Sequence, residues 1–133
     1  MVYSWPSDEQ WAYIQSQINS EGTVTMLNLL KYRETADYSD HPEENPCSGR
    51  EAYERYRQHA APLVEAYGGL LLFAGTGLPT IIGPADQMWD EILLVEYPSI
   101  EVFVEMTSSE KYQTFAYHRT AAIEDSRLIP ART

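Results

Sequence analysis

The chain has 133 residues, 44% of them hydrophobic, with 9 Lys+Arg set against 20 Asp+Glu for a net charge of −11. That length suits one domain with a core of its own. The acidic balance argues against nucleic acid and against an anionic membrane surface, because both need cationic contacts. The single cysteine, Cys47, excludes an intramolecular disulfide and a cysteine zinc cluster, and a reducing cytoplasm is the expected setting. Neither a signal-peptide pattern nor an apolar run of membrane-spanning length is visible.

In chain order, Ser7-Asp8-Glu9-Gln10 reads as a capping box that opens an N-terminal helix over 7–20. Trp11, Ile14 and Ile18 recur at helical spacing, and Glu21-Gly22 ends the helix. The core domain is expected over 23–130. Thr23 to Tyr32 is apolar at nearly every position and predicts a strand covered on both faces. Arg33 to Cys47 is a polar loop, long for a compact domain.

Ser48-Gly49-Arg50-Glu51 is a second capping box. The helix after it carries Tyr53, Tyr56, Ala60, Leu63, Val64 and Tyr67 along one stripe. Pro62 inside it predicts a kink, and Gly68-Gly69 a left-handed stop. A second strand is expected over Leu70 to Ala74, an irregular segment over Gly75 to Gln87, and a third strand over Met88 to Tyr97. Pro98-Ser99 opens a short helix to Met106. Thr107-Ser108-Ser109 caps another, predicted as one helix from Glu110 to Glu124 with the stripe Tyr112, Phe115, Ala116, Arg119 and Ile123. Leu128-Ile129 is a short fourth strand.

After the leading helix the order is β-α-β-β-α-β, an α+β ferredoxin-like plan. Both helices of that plan lie on one face of the sheet. The other face would be bare, yet these strands are apolar on both sides, so a homodimer with facing sheets is expected.

The motifs that carry chemistry are sparse. Gly75 and Gly77 fill the first two places of a dinucleotide fingerprint, but Thr80 holds the third and the following Leu-Pro-Thr-Ile-Ile-Gly-Pro cannot open a helix. No P-loop pattern is present, and neither a nucleotide nor any other cofactor is expected. Asn28 sits mid-strand between Leu27 and Leu29, where a buried amide needs a partner. The partner is either a nearby loop or water, or a ligand in an apolar pocket. Tyr53 and Tyr56 form core or a ligand wall. His59 beside them is a candidate general base or a solvated flank residue. Arg119 points toward the sheet, to pair with Glu96 or with a ligand carboxylate. His118 lies off the predicted stripe and is expected to be exposed.

Asp37, Asp40, His41, Glu43 and Glu44 in the long loop are metal-capable, but their spacing matches no EF-hand or zincin pattern, so no metal site is expected. The loop reads as a solvated acidic segment or a pocket lid. No nucleophile elbow and no placed Cys-His pair is present.

Three stretches, "YERYRQHAAPLVEAYGG" from Tyr53, "LLVEYPSIEVF" from Leu93 and "SSEKYQTFAYHR" from Ser108, resemble the family named domain of unknown function 1330. The similarity spans Met26 to Arg119. It implies the dimeric α/β-barrel superfamily with a ferredoxin-like protomer, in agreement with the element order. That superfamily includes cofactor-independent antibiotic-biosynthesis monooxygenases, heme-binding members and muconolactone-isomerase-like enzymes, and its ligands lie between sheet and helices. The family itself has no established reaction, so activity rests on fold analogy. The leading helix and the long Arg33–Cys47 loop depart from a minimal member, and either could alter access to the pocket.

The resemblance and the residues together set the expectation of a homodimer that binds a small apolar or carboxylate-bearing molecule. Asn28, Tyr53, Tyr56 and Arg119 would bind it. Asn28 and His59 would take part in any cofactor-free oxygenation or isomerisation. The contrasting expectation is a non-enzymatic dimerisation or interaction module.

Overall fold

A computed structural model describes residues 5–16 and 21–133. The elements run α1 (Asp8–Ser16), β1 (Val24–Tyr32), α2 (Gly49–Ala66), β2 (Leu70–Thr76), β3 (Glu91–Tyr97), α3 (Ile100–Ser108), α4 (Glu110–Gln113), α5 (Ala116–Ala122) and β4 (Ile123–Ala131). The four strands form one antiparallel sheet in the order β2-β3-β1-β4. This is the ferredoxin-like arrangement, α+β, with α1 added ahead of it. Ile18, read as part of the first helical stripe, lies outside the described residues.

β1 is central because its alternate residues bury deepest. Val24, Met26 and Leu30 point to the helix side with Leu93 and Tyr97 of β3, and all five are buried. The opposite side, with Leu27, Leu29, Ile92 and Leu94, stays half-buried. The continuous apolar run therefore splits into one covered face and one partly open face. Edge strand β2 is bare on both sides: Leu70, Leu71, Leu72 and Phe73 are all exposed, and its pairing with β3 shifts register between Leu71 and Phe73.

α2 starts where the capping box predicts. Ser48 Oγ accepts from the Glu51 amide, and the Glu51 carboxylate accepts from the Ser48 amide. The helix runs on past Pro62, whose ring sits on the exposed side. It ends in a Schellman motif: Gly68, at φ +81°, donates to the Glu65 carbonyl, and Gly69 donates to the Val64 carbonyl. The Ser7–Gln10 box at the start of α1 is likewise formed.

The C-terminal third differs from expectation. The helix predicted from Glu110 to Glu124 is two short helices, broken at Thr114-Phe115. Thr114 Oγ1 donates back to the Lys111 carbonyl, and Phe115 leaves helical geometry at φ −125° while its ring stays buried. Ile123 belongs to a strand, and β4 is nine residues long rather than a short piece at Leu128-Ile129. The run Glu124-Asp125-Ser126-Arg127 hid it, since charges discourage a strand reading. As an edge strand it tolerates them: Lys31 pairs with Glu124, Arg127 with Asp125, and Arg127 lies over the Trp89 ring. Pro130 is accommodated at the same edge. β2 ends two residues later than predicted, and β3 starts at Glu91 rather than Met88.

Candidate functional site

The core consists of two hydrophobic clusters bridged by tyrosines. One gathers Val24, Met26, Leu63, Tyr97, Phe103, Met106, Tyr112 and Phe115; the other gathers Leu30, Tyr53, Leu93, Ala122 and Ile123. The Tyr32, Tyr53 and Tyr56 rings follow one another at 5.4 and 5.2 Å, and Tyr56 then meets Tyr112 edge-on at 6.1 Å. The core-facing stripe of α2 is thus an aromatic wall.

A cavity of about 750 Å³ opens between this wall, the helix side of β1 and β4, and helices α1, α3, α4 and α5. Its size falls in the range of small-molecule sites. Trp11 and Ile14 of α1, Tyr97, Phe103 and Met106 supply apolar surface; Asn28, Tyr56, Tyr112, Arg119 and Ser126 supply polar groups. Among the described lining residues there is no carboxylate, histidine or lysine.

Asn28 lies at the middle of β1, with Leu93 and Leu128 directly opposite on the neighbouring strands. Its Nδ2 donates to the Met26 carbonyl at 3.3 Å. Its Oδ1 has no hydrogen-bond partner among the described residues. The Tyr56 and Tyr112 hydroxyls are 2.8 Å apart. Burial pushes the Tyr56 hydroxyl well above the usual tyrosine range, reinforced by Tyr112 and opposed by the Arg119 guanidinium. Tyr53 is raised for the same leading reason, again opposed by Arg119. Both tyrosines therefore stay neutral donors, and the cation of Arg119 acts on the same wall.

Of the residues singled out from the sequence, Asn28, Tyr56 and Arg119 come together at this cavity. Tyr53 is not on the surface of the cavity; it backs Tyr56 from within the core. His59 lies elsewhere, exposed on α2 and stacked on Phe115 with ring centroids 5.4 Å apart. Glu96, the alternative partner for Arg119, alternates with Tyr97 and so faces the opposite side of the sheet. Trp11 and Ile14 stood out only as a helical stripe. Ser126 was hidden in the charged run that masked β4.

His118 corrects the expectation of exposure. It is 8% exposed, and its Nδ1 lies 2.7 Å from the Tyr38 hydroxyl. The stripe predicted for one continuous helix stays inward at Ala116, Arg119 and Ile123, and His118 is buried because the long loop packs over its flank through Tyr38 and Glu44. Around it Glu44 accepts from the Tyr117 hydroxyl at 2.6 Å and approaches His118 Nε2 at 4.0 Å. Arg55 reaches Glu44 at 3.5 Å and lies over the Tyr38 ring, and His41 stacks on Tyr117 at 3.9 Å. The bond to Glu44 is the main reason that the Tyr117 hydroxyl is raised to about 12. Burial holds the His118 imidazole below its usual value, against the pull of Glu44. The long loop is thereby tied down on α2 and α5 and contributes no residue to the cavity. No three His, Cys, Asp or Glu side chains converge as a metal site among the described residues, and no described helix is long and apolar enough to cross a membrane. The glycines that raised the nucleotide question serve packing: a Cβ on Gly77 would fall 1.9 Å from the Trp89 carbonyl.

Comparison with known proteins agrees with this fold. The family model of the domain of unknown function DUF1330 matches residues 46–131, beginning later and ending later than the similarity read from the motifs. A protein of unknown function from Rhodopseudomonas palustris is 37% identical with a TM-score of 0.89, covering 100% of this chain and 98% of that one. A dimeric protein of unknown function with a ferredoxin-like fold, from Bacteroides fragilis, is 10% identical with a TM-score of 0.52, covering 85% of this chain and 98% of that one. A hypothetical Arabidopsis thaliana protein is 17% identical at a TM-score of 0.50, covering 88% of this chain and 95% of that one. No curated protein matches the sequence.

Proposed function

From the premise that the chain belongs to the DUF1330 family, we propose that it is a homodimeric binding domain for a small molecule with an apolar body and a carboxylate. The observation that carries this reading is the aromatic cavity of about 750 Å³ with Asn28, the Tyr56–Tyr112 pair and Arg119 on its wall. Arg119 is the group to hold the carboxylate, since a guanidinium offers a planar fork of donors. The aromatic rings enclose the apolar body, and Asn28 orients it.

The lining favours binding over proton-transfer chemistry. His59, the proposed base, is outside the cavity, and burial holds the Tyr56 hydroxyl neutral. A hydrogen-bonding wall with no carboxylate, histidine or lysine among its described residues fits recognition and sequestration of the molecule.

Dimerisation is supported by the bare edge strand β2 and by the segment after it. Leu78, Ile81 and Ile82 are exposed at 79%, 97% and 93%, while Thr80 Oγ1 donates to the Gln87 carbonyl at 2.7 Å and holds the segment in shape. Aliphatic side chains held out into water at this density fit a surface that a second copy covers. The Bacteroides fragilis protein of similar fold is described as dimeric.

Native mass spectrometry of protein purified gently from its own host tests both halves. The expected spectrum is a dimer carrying a retained small molecule. A monomer overturns the assembly. A ligand-free protein that also fails to bind any aromatic carboxylate overturns the binding reading.

A further inference from the structure

We propose that the cavity selects a ligand whose aromatic body carries a hydroxyl group, recognised by the side-chain oxygen of Asn28. This rests on the binding reading above and specifies the chemistry of the same site.

The argument starts from what each polar group on the wall has left to offer. The carbonyl of Met26 can only accept, so the Asn28 atom facing it at 3.3 Å is the amide nitrogen. That assigns the orientation of the amide and leaves Oδ1 as the atom without a partner among the described residues. Asn28 therefore presents an acceptor, and an acceptor is answered by an O–H or N–H. A ketone, an ester or an ether oxygen can take the second Nδ2 hydrogen but leaves Oδ1 unanswered.

The tyrosine pair narrows the choice further. Between Tyr56 and Tyr112 one hydroxyl donates and the other accepts. The accepting tyrosine keeps its own proton, and no further partner for it is present among the described residues. Asn28 and the tyrosine pair thus add an open acceptor and an open donor to the wall. A hydroxyl group can answer either kind of group, whereas a protonated amine can only donate. An ammonium is disfavoured for a second reason, because Arg119 already places a cation on this wall. The rings of Trp11, Tyr97, Phe103 and Tyr112 suit a flat aromatic body, through stacked and edge-on contacts. The class that meets these demands is an aromatic hydroxy acid.

Isothermal titration of the full chain with three probes tests the inference: 6-hydroxy-2-naphthoate, 6-methoxy-2-naphthoate and 2-naphthoate. All three share the ring system and the carboxylate, and the last two flank the hydroxyl compound in size. The hydroxy compound is expected to bind at least tenfold more tightly than either of the others. In Asn28→Leu, similar in volume and lacking the acceptor, that preference should disappear. Equal affinity of the three probes for the wild-type protein overturns the hydroxyl inference and leaves the binding reading standing. Absence of binding by all three overturns both. The wild-type comparison decides the matter even if Asn28→Leu fails to fold.

Discussion

The hydroxyl of Tyr56 on α2 lies 2.8 Å from the hydroxyl of Tyr112 on α4, so one hydrogen bond ties the long helix to the C-terminal helical segment inside the cavity wall. Removing either hydroxyl strands the other in a buried setting, which costs about 1–3 kcal/mol. Tyr56→Phe and Tyr112→Phe should each destabilise the protein by that amount. The double variant should cost less than the sum of the two, because it leaves no stranded group. Urea denaturation of the four proteins at one concentration reads the coupling, and strict additivity would show that the bond contributes nothing.

The imidazole of His118 predicts a pH dependence. It is packed against Tyr38, Tyr117, Glu44, Arg55, His41 and His59, and burial keeps it neutral below its ordinary value of 6.5. The unfolded chain takes up a proton near 6.5 and the folded chain only at lower pH. In that interval the unfolded state binds more protons, so stability falls as pH drops. Calorimetry should show a melting temperature that falls as the pH drops below about 6.5. His118→Gln should flatten this slope, and an unchanged slope would assign it to other groups.

The start of α2 carries two separable contributions. Ser48→Ala removes a cap that accepts from the Glu51 amide, at an expected loss of about 1 kcal/mol. Gly49→Ala should be far more damaging. Its Cβ would lie 2.2 Å from the Arg33 carbonyl oxygen and 2.7 Å from that of Ala122, and both neighbours are backbone. Thermal melts of the two variants should rank them in that order; a mild Gly49→Ala would mean that the junction of β1, α2 and α5 can move apart.

The exposed segment after β2 supplies the test of assembly. Ile81→Asp combined with Ile82→Asp places two charges on side chains that are nearly fully solvated in the protomer. The fold of the protomer should be unaffected, and a dimer that uses this surface should weaken. Sedimentation velocity at micromolar concentration is expected to show a shift from dimer to monomer. A wild-type protein that is already monomeric there would overturn the dimer.

Much of the site was visible in the residues before any tertiary contact was known. A mid-strand Asn28 between leucines had to be satisfied by something, and the tyrosine spacing on α2 had to form one wall. Arg119 was legible as an inward-pointing cation on an otherwise apolar stripe. The burial of His118 was not, because it depends on the long loop that packs over it. Phe115 leaves helical geometry where its ring joins a tyrosine cluster assembled from distant parts of the chain.

The sequence by itself determined the ferredoxin-like order, the capped starts of α1 and α2, and the stop at Gly68-Gly69. Each of these follows from local rules: hydrophobic period, a side-chain cap, and a residue that tolerates positive φ. Tertiary structure alone decided the length of β4, the burial of His118, and the contribution of α1 rather than the long loop to the cavity wall. Those features depend on which distant groups meet, because strand pairing, ring packing and cross-helix hydrogen bonds outweigh local preference wherever the two disagree.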